Sequence, residues 1–250
     1  LYRVHEGPTL EKREILRQFL RALGVGISLP ESPKPADFQA IAEATRERPD
    51  SQQIHTMLLR SMQQAIYSPH NSGHFGLAYN AYTHFTSPIR RYPDLLVHRV
   101  IKGILNAKPY ALPDLPEPAE PLGKRRMPVV AKPVSKASLS KVDAKRLTQW
   151  EAAGLHCSIN ERRADDASKD VESWLKCQFM REHLGEEFMG TVTSIGNMGL
   201  FVTLDAMYVE GLVHITELGD DYFRFDEVRQ ELRGDRSGMR YAPVSYTHLT

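Results

Sequence analysis

The stretch YTHFTSPIRRYPD, residues 82–94, sets two adjacent arginines among aromatic residues and prolines. A core segment would not carry Arg90 and Arg91 side by side, and a solvated loop has no need of Tyr82, Phe85 and Tyr92 around them. Ser87 and Pro88 suit the cap and first position of a helix, because proline fixes φ and lacks the N–H that goes unsatisfied there. A helix start offers free N–H groups and the positive end of the dipole to an anion. Arg90 and Arg91 would then fall in the first turn, where a cation is disfavoured unless an anion or acid lies near. Pro93 cannot continue an unbroken helix, so it re-aims the chain before the next one. The segment thus predicts a rigid cationic corner for a phosphate or a carboxylate. Read from the residues alone, it is either that ligand site or a structural arginine–aspartate pair made with Asp94.

Other reactive side chains are few. Cys157 and Cys177 fall in one predicted helix, where twenty positions at about 1.5 Å each separate them by roughly 30 Å, far beyond the ~7 Å limit for bridged Cα atoms. They form neither a mutual disulfide nor a metal cluster, and a reducing cytoplasm is the natural setting. From Lys124 to Arg146 there are eight Lys or Arg against one acid, Asp143. Such a run is a solvated face or, functionally, an apron that attracts phosphate.

The elements that must position these groups follow from periodicity. Across 250 residues the chain is 41% apolar and 25% charged with a net charge of +1, as expected of a globular protein with a sizeable core. It has no apolar run of the roughly 18 residues that a membrane span needs, and "LYRVHEGP" at its start reads as a fragment entered mid-structure. Thr9 caps a helix with the stripe Ile15, Leu16, Phe19, Leu20 and Leu23, ended by Gly24. A second helix covers ADFQAIAEATRE, and a third, capped by Asp50, runs from Ile54 to Ile66. After a Gly- and Pro-rich loop, LLVHRVIKGIL is helical. The seven prolines between Ala107 and Pro133 mark an exposed excursion, residues 107–135. A long helix follows from about Leu139 to Leu184, its stripe running through Trp150, Ala153, Cys157, Ala164, Ala167, Val171 and Trp174. At Gly185 the period changes from 3.6 to 2, and a β domain begins.

The segment from His74 to His98 resembles the signature of the ribonuclease II family of exoribonucleases. His74 to Leu77, Tyr82, Phe85 to Tyr92, Asp94 and His98 sit at the family's spacing. The resemblance implies hydrolysis of single-stranded RNA from its 3′ end to nucleoside 5′-monophosphates. It implies Mg²⁺ held by clustered aspartates, with Arg90 as the catalytic residue that stabilises the transition state. Arg91 is implied in a flanking phosphate contact or an acid pair, and His74, Tyr82 and Tyr92 in binding RNA. The family's Asp-x5-Asp-x-Asp-Asp cluster does not occur here. Asp165, Asp166 and Asp170, like Asp220, Asp221 and Asp226, are read as surface acids. No metal ligand is therefore expected in this chain, and the piece alone is expected to be inactive.

GTVTSIGNMGLFVTL and VEGLVHITEL are similar to the S1 RNA-binding domain, an OB-fold barrel. That likeness implies that Phe201 and His214 face RNA, and strand alternation turns Phe201 away from Leu200 and Val202. Met198 stands where relatives often have a further aromatic. The expected architecture is mixed α+β. A helix-rich C-terminal part of the ribonuclease II catalytic domain (1–184) precedes a partial S1-type OB barrel (185–241) and a foreign-looking tail (242–250). The expected partner is single-stranded RNA, bound by a cytoplasmic monomer with no membrane attachment. Two alternatives stand beside this reading. One is a non-catalytic RNA-binding fragment or relative, and the other makes residues 107–146 a docking segment for the ribosome or an RNA-decay partner.

Overall fold

A computed structural model describes residues 1–113, 115, 140–243 and 246–247. The chain forms two compact units. One combines Leu1–Pro8 with Met62–Ser173, and the other Thr9–Ser61 with Trp174–Thr250. The predicted excursion lies mostly outside the described residues, as does most of the tail. Among the described residues no helix is long and apolar enough to cross a membrane.

The first unit is built on a small antiparallel pair, β1 (Tyr2–Val4) and β2 (Ile66–Ser68), in the register Arg3 opposite Tyr67. Both strands went unread in the sequence. The third helix was expected to reach Ile66, but it stops at Ser61. The β-branched Ile66 and the aromatic Tyr67 pair with β1 instead, and this long-range pairing overrides a helical pattern with no local stop signal. The unit also holds α4 (Tyr92–Leu105) and much of α5 (Lys141–Met180).

Gly154 lets α5 lie flush on β2, since a Cβ there would stand 2.5 Å from the carbonyl oxygen of Tyr67. One turn on, Ser158 Oγ accepts the Tyr67 N–H at 2.9 Å and donates to the Gly154 carbonyl at 2.7 Å. The strand edge is thereby satisfied by a helix side chain, as a buried backbone donor requires. The α5 stripe is buried only over Ala153–Ile159, and Val171 and Trp174, predicted to lie in the same stripe, are exposed. The helix simply outruns the surface that covers its middle.

The second unit holds α1 (Leu10–Ala22), α2 (Pro35–Ala44) and α3 (Ser51–Ser61). Thr9 Oγ1 accepts the Lys12 N–H at 3.3 Å, the expected cap, and Leu16, Phe19 and Leu20 are buried, whereas Ile15 is exposed. The carboxylate predicted to cap α3, Asp50, is gripped by both Nε and Nη2 of Arg48 at 2.8 Å. With these helices stand the strands β3 (Gly190–Gly196), β4 (Gly199–Leu204), β5 (Glu210–His214), β6 (Phe223–Asp226), β7 (Glu231–Gly234), β8 (Arg240–Tyr241) and β9 (Tyr246–Thr247). They make two sheets, β5-β4-β3-β9 and β6-β7-β8, around one core of Val192, Ile195, Leu200, Val202, Phe223 and Leu232.

A bulge in β3 between Val192 and Ser194 lets Val192 and Ile195, three residues apart, share the core face. Within the tail, read as lacking strand character, Tyr246 and Thr247 pair with Thr191 and Gly190. Backbone pairing needs little from side-chain alternation over two residues.

Candidate nucleic-acid interface

The corner at residues 82–94 is built differently from its sequence expectation. No helix starts at Ser87. Pro88, Ile89 and Arg90 form a turn in which the Ser87 carbonyl accepts the Arg90 and Arg91 N–H groups at 3.3 and 2.9 Å. The helix starts at Tyr92 with Arg91 as its cap residue and Pro93 in the first turn, where a missing N–H costs nothing. A helix begun at Pro88 would have had to carry Pro93 through its interior, so the second proline decides the start. Arg90 therefore lies outside the helix, and the arginines are not both in a first turn.

The two arginines have different fates. Arg91 donates through Nε and Nη2 to Asp94 Oδ2, at 3.2 and 2.8 Å. The same oxygen accepts the Ser87 N–H at 2.8 Å, and the Asp94 side chain is fully buried. Burial alone would raise the Asp94 pKa; the Ser87 N–H bond and Arg91 outweigh it and hold the carboxyl below the ordinary range. The Arg90 side chain is exposed and has no hydrogen bond or ion pair among the described residues. Arg91 is thus the structural half of the pair and Arg90 the free cation.

Beside this corner lies a group of rings. The loop from Gly73 to Tyr82 is laid along β1 and its extension: the Arg3 N–H donates to the Tyr82 carbonyl at 2.8 Å and the Phe75 N–H to that of His5 at 2.7 Å. His74 and Tyr82 meet edge to face, 5.2 Å between centroids, and His5 stands 5.0 Å from His74. His5 Nδ1 accepts the Gly76 N–H at 2.8 Å, so its Nε2–H faces the Gln63 carbonyl at 2.6 Å. His74 Nδ1 accepts the Leu77 N–H, and burial, then His5, lower its pKa.

His84, which sequence reasoning passed over, is the link between this group and the corner. Its ring meets Tyr82 and Tyr67 edge-on at 5.6 Å, and its Nδ1 lies 2.8 Å from the Tyr67 hydroxyl. Tyr67 also donates to Glu161 Oε1 at 3.2 Å, and the Arg3 guanidinium lies 4.5 Å over its ring. A histidine between two aromatics in the YTHF run was the signal available. Tyr92 does not join the group: it has no ring contact with His74 or Tyr82 among the described residues. Burial, then Tyr110, raise its pKa.

In the other unit, register settles the facing of the barrel residues. Leu200 and Val202 point to the core, and Phe201 lies on the opposite face, half-buried. Phe201 pairs with Leu212, and Gly199 with His214, so Phe201 and His214 share that face. Gly199, at φ 141°, brings the strands together, since a Cβ there would stand 2.1 Å from the Val213 carbonyl oxygen. His214 is exposed, with Nδ1 2.8 Å from Thr216 Oγ1.

Among the described residues no three His, Cys, Asp or Glu side chains come together so as to hold a metal ion. Asp165 and Asp170 are exposed on α5, and Asp221 accepts the Arg236 and Ser237 N–H groups at 3.0 and 2.8 Å, fastening a turn. The described residues do not by themselves fit a Mg²⁺ site.

The RNB domain matches residues 1–107 and the S1 RNA binding domain residues 182–240. The first match carries the arginine corner and the second the OB-type barrel, as the resemblance to the ribonuclease II family leads one to expect. Over nearly its whole length the chain is similar to ribonuclease R. It is 41% identical over 243 residues to the Escherichia coli K12 protein, covering 96% of this chain and 27% of that one. Identity to the Vibrio cholerae protein is 42% over 241 residues, 96% and 27% of the two chains. To that of Thermotoga maritima it is 40% over 238 residues, 95% and 30%. The chain spans less than a third of the length of these relatives.

Two solved structures share its fold. Mycoplasma genitalium RNase R in complex with ribose methylated single-stranded RNA matches with a TM-score of 0.72 at 23% identity, over 98% of this chain and 34% of that one. Yeast Ssd1, a pseudonuclease, matches with a TM-score of 0.52 at 19% identity, over 93% and 25%. Since a ribonuclease and a pseudonuclease share the fold, the chemistry must be argued from the site.

Proposed function

We propose that the chain serves 3′-to-5′ hydrolysis of single-stranded RNA to nucleoside 5′-monophosphates, and that the corner at residues 82–94 receives the scissile phosphate. The observation that carries this is the unpaired state of Arg90 beside a neutralised Arg91. A guanidinium with no partner among the described residues, set on a turn fastened by a buried carboxylate, is ready to meet a phosphoryl oxygen without first breaking an ion pair. Its planar fork can grip charge that grows on that oxygen as the bond to the leaving group breaks. His74 and Tyr82 offer ring faces and edges to the nucleotides, and Phe201 and His214 hold the strand on the barrel face.

Mg²⁺ is implied by the family resemblance and would supply an activated water. Its ligands would have to come from residues other than those described. The reading goes with a cytoplasmic, monomeric protein. Residues 124–146 would form the phosphate-attracting apron, or residues 107–146 a dock for the ribosome or an RNA-decay partner.

The test is a chimera in which this chain replaces the matching segment of the Escherichia coli relative. Release of nucleoside 5′-monophosphates that depends on Arg90 supports the reading. A chimera that folds and binds RNA but never cleaves it would favour the second reading, a binding protein only. The absence of an acid cluster from the described residues is what favours that alternative.

A further inference from the structure

His84 has one nitrogen accounted for and one free. Its Nδ1 lies 2.8 Å from the Tyr67 hydroxyl, which in turn lies 3.2 Å from Glu161 Oε1. A carboxylate only accepts, so the Tyr67 proton must point to Glu161 for that contact to be a bond. The Tyr67 oxygen is then the acceptor toward His84, and the imidazole proton must sit on Nδ1. In the other tautomer Tyr67 would turn its proton to His84 and leave its oxygen lone pairs against Glu161. Arg3 Nη1 holds Glu161 Oε2 at 2.6 Å, which keeps that carboxylate in place.

The chain Glu161–Tyr67–His84 therefore leaves Nε2 with a lone pair, and Nε2 has no hydrogen-bond partner among the described residues. Burial, then Arg91 and Arg3, lower the His84 pKa, so the ring stays neutral near pH 7. Tyr67 and Tyr82, each meeting it edge-on at 5.6 Å, fix the ring's orientation. A neutral acceptor cannot bond a phosphate oxygen, which carries no proton. It needs a donor. The donor that every RNA nucleotide carries beside its phosphate, and that DNA lacks, is the ribose 2′-hydroxyl.

We propose that His84 Nε2 accepts a hydrogen bond from a ribose 2′-hydroxyl and so reads the nucleic acid as RNA. The proposal rests on the reading of residues 82–94 as the seat of an RNA end. The Glu161–Tyr67 pair acts as the positioning element that holds the tautomer.

Nitrogen-15 spectra of the histidine and arginine side chains of the 250-residue chain test this. They are recorded free, with oligoadenylate, and with oligodeoxyadenylate of equal length. The free chain is expected to carry the His84 proton on Nδ1. RNA is expected to move both the Arg90 Nε and His84 Nε2 signals, and DNA only that of Arg90. A proton on Nε2 in the free chain overturns the proposal, as do equal His84 shifts with RNA and DNA, which would implicate a base or the 3′-hydroxyl. If neither nucleic acid moves Arg90 or His84, the corner reading falls and the proposal with it.

A second measurement uses His84→Phe, which keeps a ring and removes the acceptor. The ratio of RNA to DNA affinity is expected to fall about five- to tenfold, the worth of one net hydrogen bond. Tyr67→Phe, which frees the tautomer, is expected to lower the same ratio. Equal losses on RNA and DNA would mean that His84 only packs.

Discussion

Arg91 closes on Asp94 with two of its nitrogens, at 3.2 and 2.8 Å from a carboxylate that solvent does not reach. The pair holds the turn that carries Arg90, so it is expected to show first as stability. Arg91→Ala would leave a buried charge with only the Ser87 N–H for company. A loss of about 3 kcal/mol in urea unfolding is expected near neutral pH, the usual cost of breaking a buried pair. The folded Asp94 pKa is depressed, so its contribution is complete above the ordinary carboxylate range and disappears as pH falls through the lowered value. The gap between wild type and Arg91→Ala is therefore expected to narrow as pH falls below the ordinary carboxylate range. A gap that stays constant with pH would refute the ionic account.

Arg90, by contrast, has no partner to lose among the described residues. Arg90→Ala is expected to leave stability within about 0.5 kcal/mol, as for a surface substitution. In the chimera it is expected to cut single-turnover cleavage by about 10²–10³, the worth of a donor aimed at developing charge. RNA affinity is expected to change little. An equal loss in affinity and rate would make Arg90 a binding residue.

Gly154 is expected to be irreplaceable for a reason no sequence pattern shows. A Cβ would stand 2.5 Å from the Tyr67 carbonyl oxygen and 3.1 Å from its carbon, and backbone cannot swing aside as a side-chain tip can. Alanine's better helix propensity returns about 1 kcal/mol, against an overpacking cost of about 1–3 kcal/mol or more. A 2.5 Å approach to backbone puts the cost at the upper end of that range, so a net loss of about 2 kcal/mol follows, read as a fall in Tm of about 2–4 °C per kcal/mol. An unchanged Tm would show that α5 does not lie on β2 this closely.

The two cysteines offer a test of burial that needs no mutation. Cys157 is buried, and burial, then Glu161, push its thiol up to about 12. Cys177, on the same helix, is exposed. In the folded chain a thiol reagent is expected to label Cys177 within minutes and to leave Cys157 unmodified until denaturant is added. Rapid labelling of both would place the middle of α5 in solvent.

These contrasts show what could be read from residues alone. α1 was legible because its cap, stripe and terminating glycine are all local, and the β domain because its period changes sharply at Gly185. β1 and β2 were not legible. Strands of three residues carry too little pattern, and their reason for existing is each other, some sixty positions apart. The start of α4 was misread because Ser87–Pro88 and Tyr92–Pro93 are rival start signals. The buried Asp94 that fastens the turn between them is visible only in three dimensions. Arg91–Asp94 could be named as a possibility from spacing, but His84 could not be singled out, since its meaning depends on Tyr67 and Glu161 arriving from distant elements.

Phe201 is the residue on which alternation and structure agree, and it carries the last prediction. Its neighbours Leu200 and Val202 are in the core, so truncating Phe201 removes an outward ring and leaves the core as it is. Stacking a base on such a ring contributes about 1–3 kcal/mol, so Phe201→Ala is expected to weaken single-stranded RNA binding roughly five- to a hundredfold. The barrel's own unfolding midpoint is expected to hold. In the chimera the single-turnover rate at saturating RNA is also expected to hold, because a ring that grips the strand on the barrel touches no reacting atom. A fall in that saturated rate would mean that Phe201 aligns the scissile bond as well as holding the strand, and the division of labour between corner and barrel would have to be redrawn.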